Sequence, residues 1–142
     1  MLSPSEKKTT KISIAVGSVI LVFAALFLFT GKFEVTFDET SFTIDAAYWD
    51  DAKVNYADID NIEYRNQDDP NASASRIFGY GSFHLLMGEF ENDEFGTYTR
   101  YSYIHCDSCV VLTVNEETLV INGTDDEHTK EIYEKLIKKI NK

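Results

Sequence analysis

The chain has few cationic residues, and this shortage excludes two large classes of partner. Of its 142 residues, 24 are acidic and only 13 are lysine or arginine, which gives a formal net charge of −11 at pH 7. From Lys32 onward, ten basic residues stand against twenty-three acidic ones, a net charge of −13. A surface of this charge repels polyanions. Binding to nucleic acid or to anionic lipid headgroups is therefore excluded.

The motifs of the common catalytic and cofactor sites are also missing. The sequence has no glycine-rich phosphate loop, no His-Glu-x-x-His pair and no serine with a plausible histidine and aspartate partner. The acidic run at residues 89–94 lacks the glycine-punctuated loop of a dedicated calcium site. We interpret that run as a solvated loop, because charged residues mostly lie in solvent. We expect no enzymatic activity, no cofactor and no metal.

What the sequence does contain is a long apolar run near its start. Residues 12–31 carry no charge and are bracketed by Lys11 and Lys32. Twenty residues of helix span roughly 30 Å, the thickness of the hydrocarbon core of a bilayer. The run exceeds the usual apolar region of a signal peptide, and no small-x-small cleavage site follows it. We therefore expect an uncleaved transmembrane helix at 12–31 rather than a cleaved leader.

The charges that flank this run predict the orientation of the chain in a cell membrane. Lys7, Lys8 and Lys11 precede the run, whereas only Lys32 follows it closely. Because positive residues remain in the cytoplasm, residues 1–11 are predicted to be a cytoplasmic tail and residues 33–142 to lie outside the cytoplasm.

The segment after the apolar run reads as a succession of short strands. In "FEVTFDETSFTIDAA", apolar and polar residues alternate on either side of a polar "DETS", which predicts a β-hairpin with one buried face. Further runs give seven or eight strands in all, with no helix between them and a polar surface loop at residues 66–75. This pattern predicts antiparallel sheets that close as a barrel or a sandwich.

The last twenty residues have a different period. Ile132, Leu136 and Ile140 recur at helical spacing and form an apolar stripe. Thr124, followed three residues later by Glu127, matches a capping box. We therefore predict one amphipathic helix over about 125–141. The fold class is thus mainly β with a C-terminal helix, an α+β arrangement.

A small bent barrel capped by one C-terminal helix suggests the pleckstrin-homology (PH) superfold, and the motifs resemble the bacterial PH-like domain family. The resemblance covers roughly residues 33–140 and depends mainly on glycines and aromatic residues. The positions that carry it are Asp58, Ile59, Arg76, Gly79, Tyr80, Gly81, Gly88, Phe90, Gly96, Tyr98 and Tyr101. It implies the PH fold and, in general terms, a binding module. Phosphoinositide binding is not carried over, because residues 38–41, where cations would be needed, contain two carboxylates.

The only two cysteines form a Cys-x-x-Cys motif at Cys106 and Cys109. A turn between two strands would bring their Cα atoms within disulfide range, and such a pair tends to oxidise outside the cytoplasm. We therefore predict a disulfide across the turn. Free thiols, a metal site that recruits His105, and a redox site remain alternatives, although the strand flanks and Asp107 disfavour a reactive thiolate.

Together these observations predict a single-pass membrane protein that presents an extracytoplasmic PH-like module and binds a partner protein. One alternative is self-association, helped by Gly17 and other small residues in the span. Another is thiol redox or metal chemistry at the two cysteines. Trp49 is expected to close the core, with an exposed contact patch shared with Tyr48 as the other interpretation.

Overall fold

The structure is a computed structural model that describes residues 1–66 and 74–141, in two units, Met1–Thr30 and Gly31–Lys142. The first unit is helix α1, Pro4–Phe29. A capping box starts the helix: the Ser3 hydroxyl accepts from the Glu6 N–H, and the Glu6 carboxylate accepts from the Ser3 N–H. None of its residues is buried, and it is long and apolar enough to cross a membrane. The helix therefore begins inside the predicted tail and is longer than the predicted span.

The second unit contains, within its described residues, nine strands and one α-helix. In chain order they are β1 Phe33–Phe37, β2 Ser41–Ala46, β3 Ala52–Asn55, β4 Ile59–Arg65, β5 Ser75–Gly81, β6 Leu85–Asn92, β7 Gly96–Tyr103, β8 Cys109–Val114, β9 Glu117–Ile121 and α2 Asp126–Ile140. The predicted mainly-β class with a C-terminal helix is confirmed. The additional strand is β5, and its two glycines, Gly79 and Gly81, are as typical of a turn as of two strands in close approach. Most of the predicted loop at 66–75, namely residues 67–73, lies outside the described residues.

The strands form two sheets. One has the order β1-β2-β3, and the other has the order β4-β8-β9-β7-β6-β5. All pairs are antiparallel except β7 with β9, which run parallel. The expectation of purely antiparallel sheets was therefore wrong at this pair. β9 reaches β7 after the β8–β9 hairpin, a non-local pairing that strand periodicity does not reveal.

The core lies between the two sheets and is closed by α2. Phe42 and Ile44 of the smaller sheet are fully buried with Leu112 and Ile121 of the larger one. Leu136 brings the helix into the same cluster. Burying side chains of this size contributes roughly 1.5–3 kcal/mol each. The helix is thus held by its apolar stripe, as its sequence period predicted.

The start of α2 differs from the predicted cap by one residue. The N-cap is Asp125, whose carboxylate accepts from the His128 N–H at 2.7 Å. The predicted pair of Thr124 and Glu127 is therefore wrong. The Thr124 N–H instead donates to Nδ1 of His128 at 3.1 Å. Thr124 therefore lies before the helix and contacts its first turn through the His128 side chain. A carboxylate is as good an N-cap as a hydroxyl. Because Thr124, Asp125 and Asp126 are consecutive, the sequence alone does not decide which of them begins the helix.

Two glycines of the resemblance motif, Gly79 and Gly88, face each other across β5 and β6. Both have positive φ, +149° and +134°. A Cβ added to Gly88 would lie 2.6 Å from the Cα of Gly79 and would collide with the Phe78 carbonyl. The two strands can therefore approach only because neither residue has a side chain.

We expect Gly88→Ala to lower the free energy of unfolding by roughly 2–5 kcal/mol, because it adds a steric clash to a strained φ. Gly96→Ala is the matched control, since Gly96 also has positive φ, +66°, but no atom lies within 4 Å of the position that an added Cβ would take. That change should cost about 1–2 kcal/mol. Unfolding of the detergent-solubilised full chain, followed by circular dichroism, measures both. Equal losses would contradict a steric contact between β5 and β6 at Gly88.

Candidate interaction site

Strand β1 is an edge strand with backbone groups that point away from its sheet. Just beyond the two ends of β1, the Asp38 N–H donates to the Ser41 carbonyl and the Lys32 carbonyl accepts from the Ala47 N–H. The even-numbered residues of β1 therefore direct their backbone hydrogen bonds toward β2. In an antiparallel pair, the alternate residues direct their N–H and C=O outward. Val35 and Phe37 therefore present theirs to the open edge, since β1 has a single neighbour among the described strands.

The phenol of Tyr103 shows how one of these outward positions is satisfied. Its hydroxyl donates to the Phe33 carbonyl at 2.9 Å and accepts from the Phe33 N–H at 3.4 Å. Burial raises the pKa of Tyr103, and Glu34 raises it further, whereas the Phe33 hydrogen bond and Lys32 act in the opposite direction. The phenol is therefore protonated at neutral pH and can donate. One side chain here occupies both backbone groups that a neighbouring strand would otherwise bond.

A groove of about 570 Å³ runs along this edge beside the start of α2. We call it the β1 groove. The residues that line it are Lys32, Phe33, Glu34, Val35, Thr36, Tyr103, Thr124 and His128. Its volume is within the range of sites that hold small ligands or short peptide segments. Val35 and Phe37 are only half-buried, which leaves apolar surface beside the unpaired backbone.

The solvent face of the β1–β2 hairpin is acidic. Glu34 lies directly opposite Asp45, and both are exposed. Like charges in this position destabilise a strand pair. Lys32 Nζ, 3.4 Å from a Glu34 oxygen, compensates only part of this charge. Glu34, Asp45 and Asp51 line one small surface pocket on this face. The Asp51 carboxylate also accepts from the Ala46 N–H at 2.7 Å. We call Glu34, Asp45 and Asp51 the acidic hairpin face.

A second exposed feature is an apolar patch on β5, the edge strand of the larger sheet. Ile77 and Phe78 are 52% and 67% exposed. The Phe78 ring meets Trp49 edge-on, with centroids 5.2 Å apart. Trp49 itself is half-buried and packs on the core, so it both closes the core, as expected, and borders this patch. Tyr48 beside it is 47% exposed.

The predicted disulfide between Cys106 and Cys109 is not formed; both residues are buried thiols in the structure. Cys109 begins β8 and packs with Phe90 and Val111, whereas the next residue, Val110, lies in the main core. Cys109 is therefore on the sheet face opposite α2. The Cys106 thiol lies on the helix side, so the two point away from each other.

Cys106 belongs to a hydrogen-bonded cluster at the start of α2. Its Sγ is 3.2 Å from the Thr129 hydroxyl and 3.4 Å from Asp126 Oδ1. The Ser108 hydroxyl donates to the same Asp126 oxygen at 2.7 Å. Hydrogen bonds from Ser108 and then Cys106 lower the pKa of Asp126. The cluster attaches the β7–β8 connection to the start of α2.

Arg100 on β7 is 1% exposed and lies on the same sheet face as Cys109. Its guanidinium is 5.4 Å from the ring centroid of Tyr98 and 5.8 Å from that of Phe90, and it donates to the Tyr98 hydroxyl at 3.0 Å. Within residues 1–66 and 74–141, no carboxylate pairs with it. The aromatic faces and hydroxyls thus replace a counter-ion for this buried charge.

Comparison with protein families gives a match that covers most of the second unit: the family model described as "Bacterial PH domain" matches residues 33–137. The chain belongs to this family. The resemblance indicated by the sequence motifs is therefore confirmed. Comparison with curated proteins and with solved structures gives no match.

The motif residues of this PH domain occupy structural positions. Asp58 ends a 3₁₀ turn and Ile59 begins β4. Tyr101 is buried in the core, where its hydroxyl donates to the Asp50 carbonyl at 2.6 Å, and burial raises its pKa to about 12. Phe90 and Tyr98 pack on the opposite face of the sheet. Arg76 is exposed, and its guanidinium lies against Gly81. None of these positions lines the β1 groove.

The sequence did not identify the residues of the β1 groove as a binding site, although Lys32 and Thr124 were singled out for other roles. The alternation in "FEVTF" identified the strand but not that it lies at an edge. That property depends on which strands pair, and the pairing of β7 with β9 rather than with β1 is a tertiary outcome. A usable signal was present at Glu34 and Asp45, because hairpin register places them opposite each other.

We expect both thiols of the PH domain to be reduced and shielded. In the native full chain, a maleimide reagent should react slowly with Cys106 and Cys109, since they are 6% and 2% exposed. In denaturant without reductant, both should react, and a Cys106→Ser variant should take up one label fewer by mass spectrometry. Labelling that requires prior reduction would instead show a disulfide.

Proposed function

We propose that this protein is a single-pass protein of the cell membrane, with its N-terminus in the cytoplasm, that presents its PH domain outside the cytoplasm to bind a partner protein. Helix α1 supports the membrane anchor, and the lysines before residue 12 support the orientation. The PH fold is in general a non-catalytic scaffold, and we propose that this member is not an enzyme.

The observation that carries the binding role is the open edge of β1 beside the β1 groove. Val35, which lines the groove, and Phe37, two residues further along the strand, direct backbone donors and acceptors to this edge, and both side chains are half-buried. Edges of this kind bind extended segments of other polypeptides. The net charge of −13 from Lys32 onward makes a nucleic acid or phosphoinositide ligand unfavourable.

Self-association is the second candidate, and the exposed Ile77 and Phe78 on the edge strand β5 favour it. An apolar edge strand is a surface on which a second copy can pair. Thiol redox or metal chemistry has less support, because the Cys106 thiol contacts the start of α2, whereas Cys109 packs on the sheet face opposite that helix. Among the residues that the structure describes, no group of three or more potential ligands could hold a metal.

Site-specific photo-crosslinking in cells tests the binding role. A photoreactive residue at Thr36, in the β1 groove, should crosslink to a foreign polypeptide, whereas one at Lys138, on the exposed side of α2, should not. Mass spectrometry identifies the products. Crosslinks from Thr36 only to copies of the same chain would replace the proposal with self-association, and identical products from both positions would contradict a specific site.

The orientation is tested with single cysteines in a Cys106→Ala, Cys109→Ala background. A membrane-impermeant maleimide should label Asp93→Cys, in the exposed β6–β7 turn, in intact cells. It should label Ser5→Cys only after permeabilisation. The reverse pattern would place the PH domain in the cytoplasm.

A further inference from the structure

We infer that the partner is an extended segment that pairs with β1 as an added strand and alternates cationic with apolar side chains. This rests on the proposed binding role and specifies its chemistry. The segment would bond the outward N–H and C=O groups of Val35 and Phe37. Tyr103 marks one end of the usable edge, because its hydroxyl already bonds both backbone groups of Phe33.

The acidic hairpin face determines which side chains the segment carries toward solvent. Residues of an added strand lie about 4.5–5.5 Å from their neighbours on β1, measured between Cβ atoms. A lysine or arginine beside Glu34 would relieve the repulsion between Glu34 and Asp45, which the single ammonium of Lys32 leaves partly uncompensated. The net charge of the domain would also speed the encounter with a basic segment.

The opposite face of the segment is directed toward the core and takes apolar residues. There it would continue the row of Phe33, Val35 and Phe37, of which the last two are half-buried. The wall on this side is formed by Tyr103 and His128, with Lys135 Nζ 5.6 Å from the ring centroid of Phe37 at the far end. A cation on this face would meet Lys135, whereas an aliphatic side chain would cover the exposed part of Val35. The groove thus favours apolar residues inward and cations outward.

A second copy of the chain is a poorer occupant of the same edge. Pairing β1 with β1 would bring another Glu34 and another Asp45 to the acidic hairpin face, and it would join two domains that each carry a net charge of −13. The electrostatics therefore select a foreign basic segment over self-pairing at this site.

The test uses the full chain in nanodiscs of phosphatidylcholine, a zwitterionic lipid that does not compete for cations. The probe is a fluorescent peptide in which valine and lysine alternate over about eight residues, long enough to cover the five residues of β1. Fluorescence anisotropy should show saturable binding. A peptide of the same composition with the valines and lysines in two blocks, and one that alternates valine with glutamate, should bind at least tenfold more weakly.

Backbone pairing is tested by removing hydrogen-bond donors on each side. Val35→Pro deletes an outward N–H without breaking the ladder to β2, and proline is tolerated in this position of an edge strand. It should abolish peptide binding while the circular dichroism spectrum and melting temperature remain close to those of the parent. Two peptides are compared, one N-methylated at its odd-numbered residues and the other at its even-numbered residues. Because alternate residues of a strand direct their N–H groups toward the partner strand, one of these peptides should bind and the other should not. Equal binding by both would overturn strand addition.

The charge contribution is measured with the double variant Glu34→Gln, Asp45→Asn. It should weaken binding of the valine–lysine peptide about three- to fivefold, as expected for one exposed ion pair with Glu34 and a longer-range attraction to Asp45, which lies one strand further from the peptide. The control variant Glu89→Gln, Glu91→Gln makes the same change in net charge on exposed positions of β6 and should leave the affinity within about twofold. Equal losses in both variants would reduce the effect to non-specific attraction and overturn the site.

The two proposals fail in different ways. If Thr36 crosslinks to a foreign protein but Val35→Pro leaves that crosslink unchanged, the domain binds partners without adding a strand, and only this inference is wrong. If no foreign crosslink forms at Thr36 and no alternating peptide binds, both proposals are wrong.

Discussion

The two sheets are joined by apolar burial and not by strand pairing, and the remaining architecture depends on this. Backbone hydrogen bonds hold each sheet together internally, but no ladder connects the three-stranded sheet to the six-stranded one within the described residues. Phe42 and Ile44 pack in one cluster with Leu112 and Ile121. Leu136 of α2 packs into the same cluster and covers the end of the space between the two sheets. Tyrosine hydroxyls, including that of the half-buried Tyr103 on Phe33, add directional contacts across the same boundary. A core that fastens sheets face to face leaves their edges open, and the open edge of β1 is therefore a by-product of how the fold is stabilised.

Much of this architecture could be predicted from the sequence because it is encoded locally. Strict alternation identified the β1–β2 hairpin, and the spacing of Ile132 and Leu136 identified the helix and its buried face. The glycine and aromatic motifs identified the family, since Gly79 and Gly88 occupy a contact that tolerates no side chain. Each of these signals depends on residues within one strand, one helix or one close strand pair.

What could not be predicted depends on distant contacts or on competition between near-equivalent residues. The disulfide prediction failed because Cys106, in the β7–β8 connection, contacts the start of α2, whereas Cys109, the first residue of β8, packs on the sheet face opposite that helix. β5 was missed because its glycines signal turns as readily as close approach. The helix cap moved to Asp125 because adjacent hydroxyl and carboxylate side chains compete for the same N–H groups. The β1 groove exists only once all the other pairings are made.

The shielding of the two thiols also has a consequence for how each would be exposed if the folded chain opened locally. Cys106 is covered by Thr129 and Asp126 at the start of α2, so undocking of this helix alone would uncover it. Cys109 packs in a separate cluster with Phe90 and Val111, so its exposure would require the strands of the larger sheet to separate. The two cysteines would therefore act as separate reporters, one for fraying of the helix and the other for opening of the sheet.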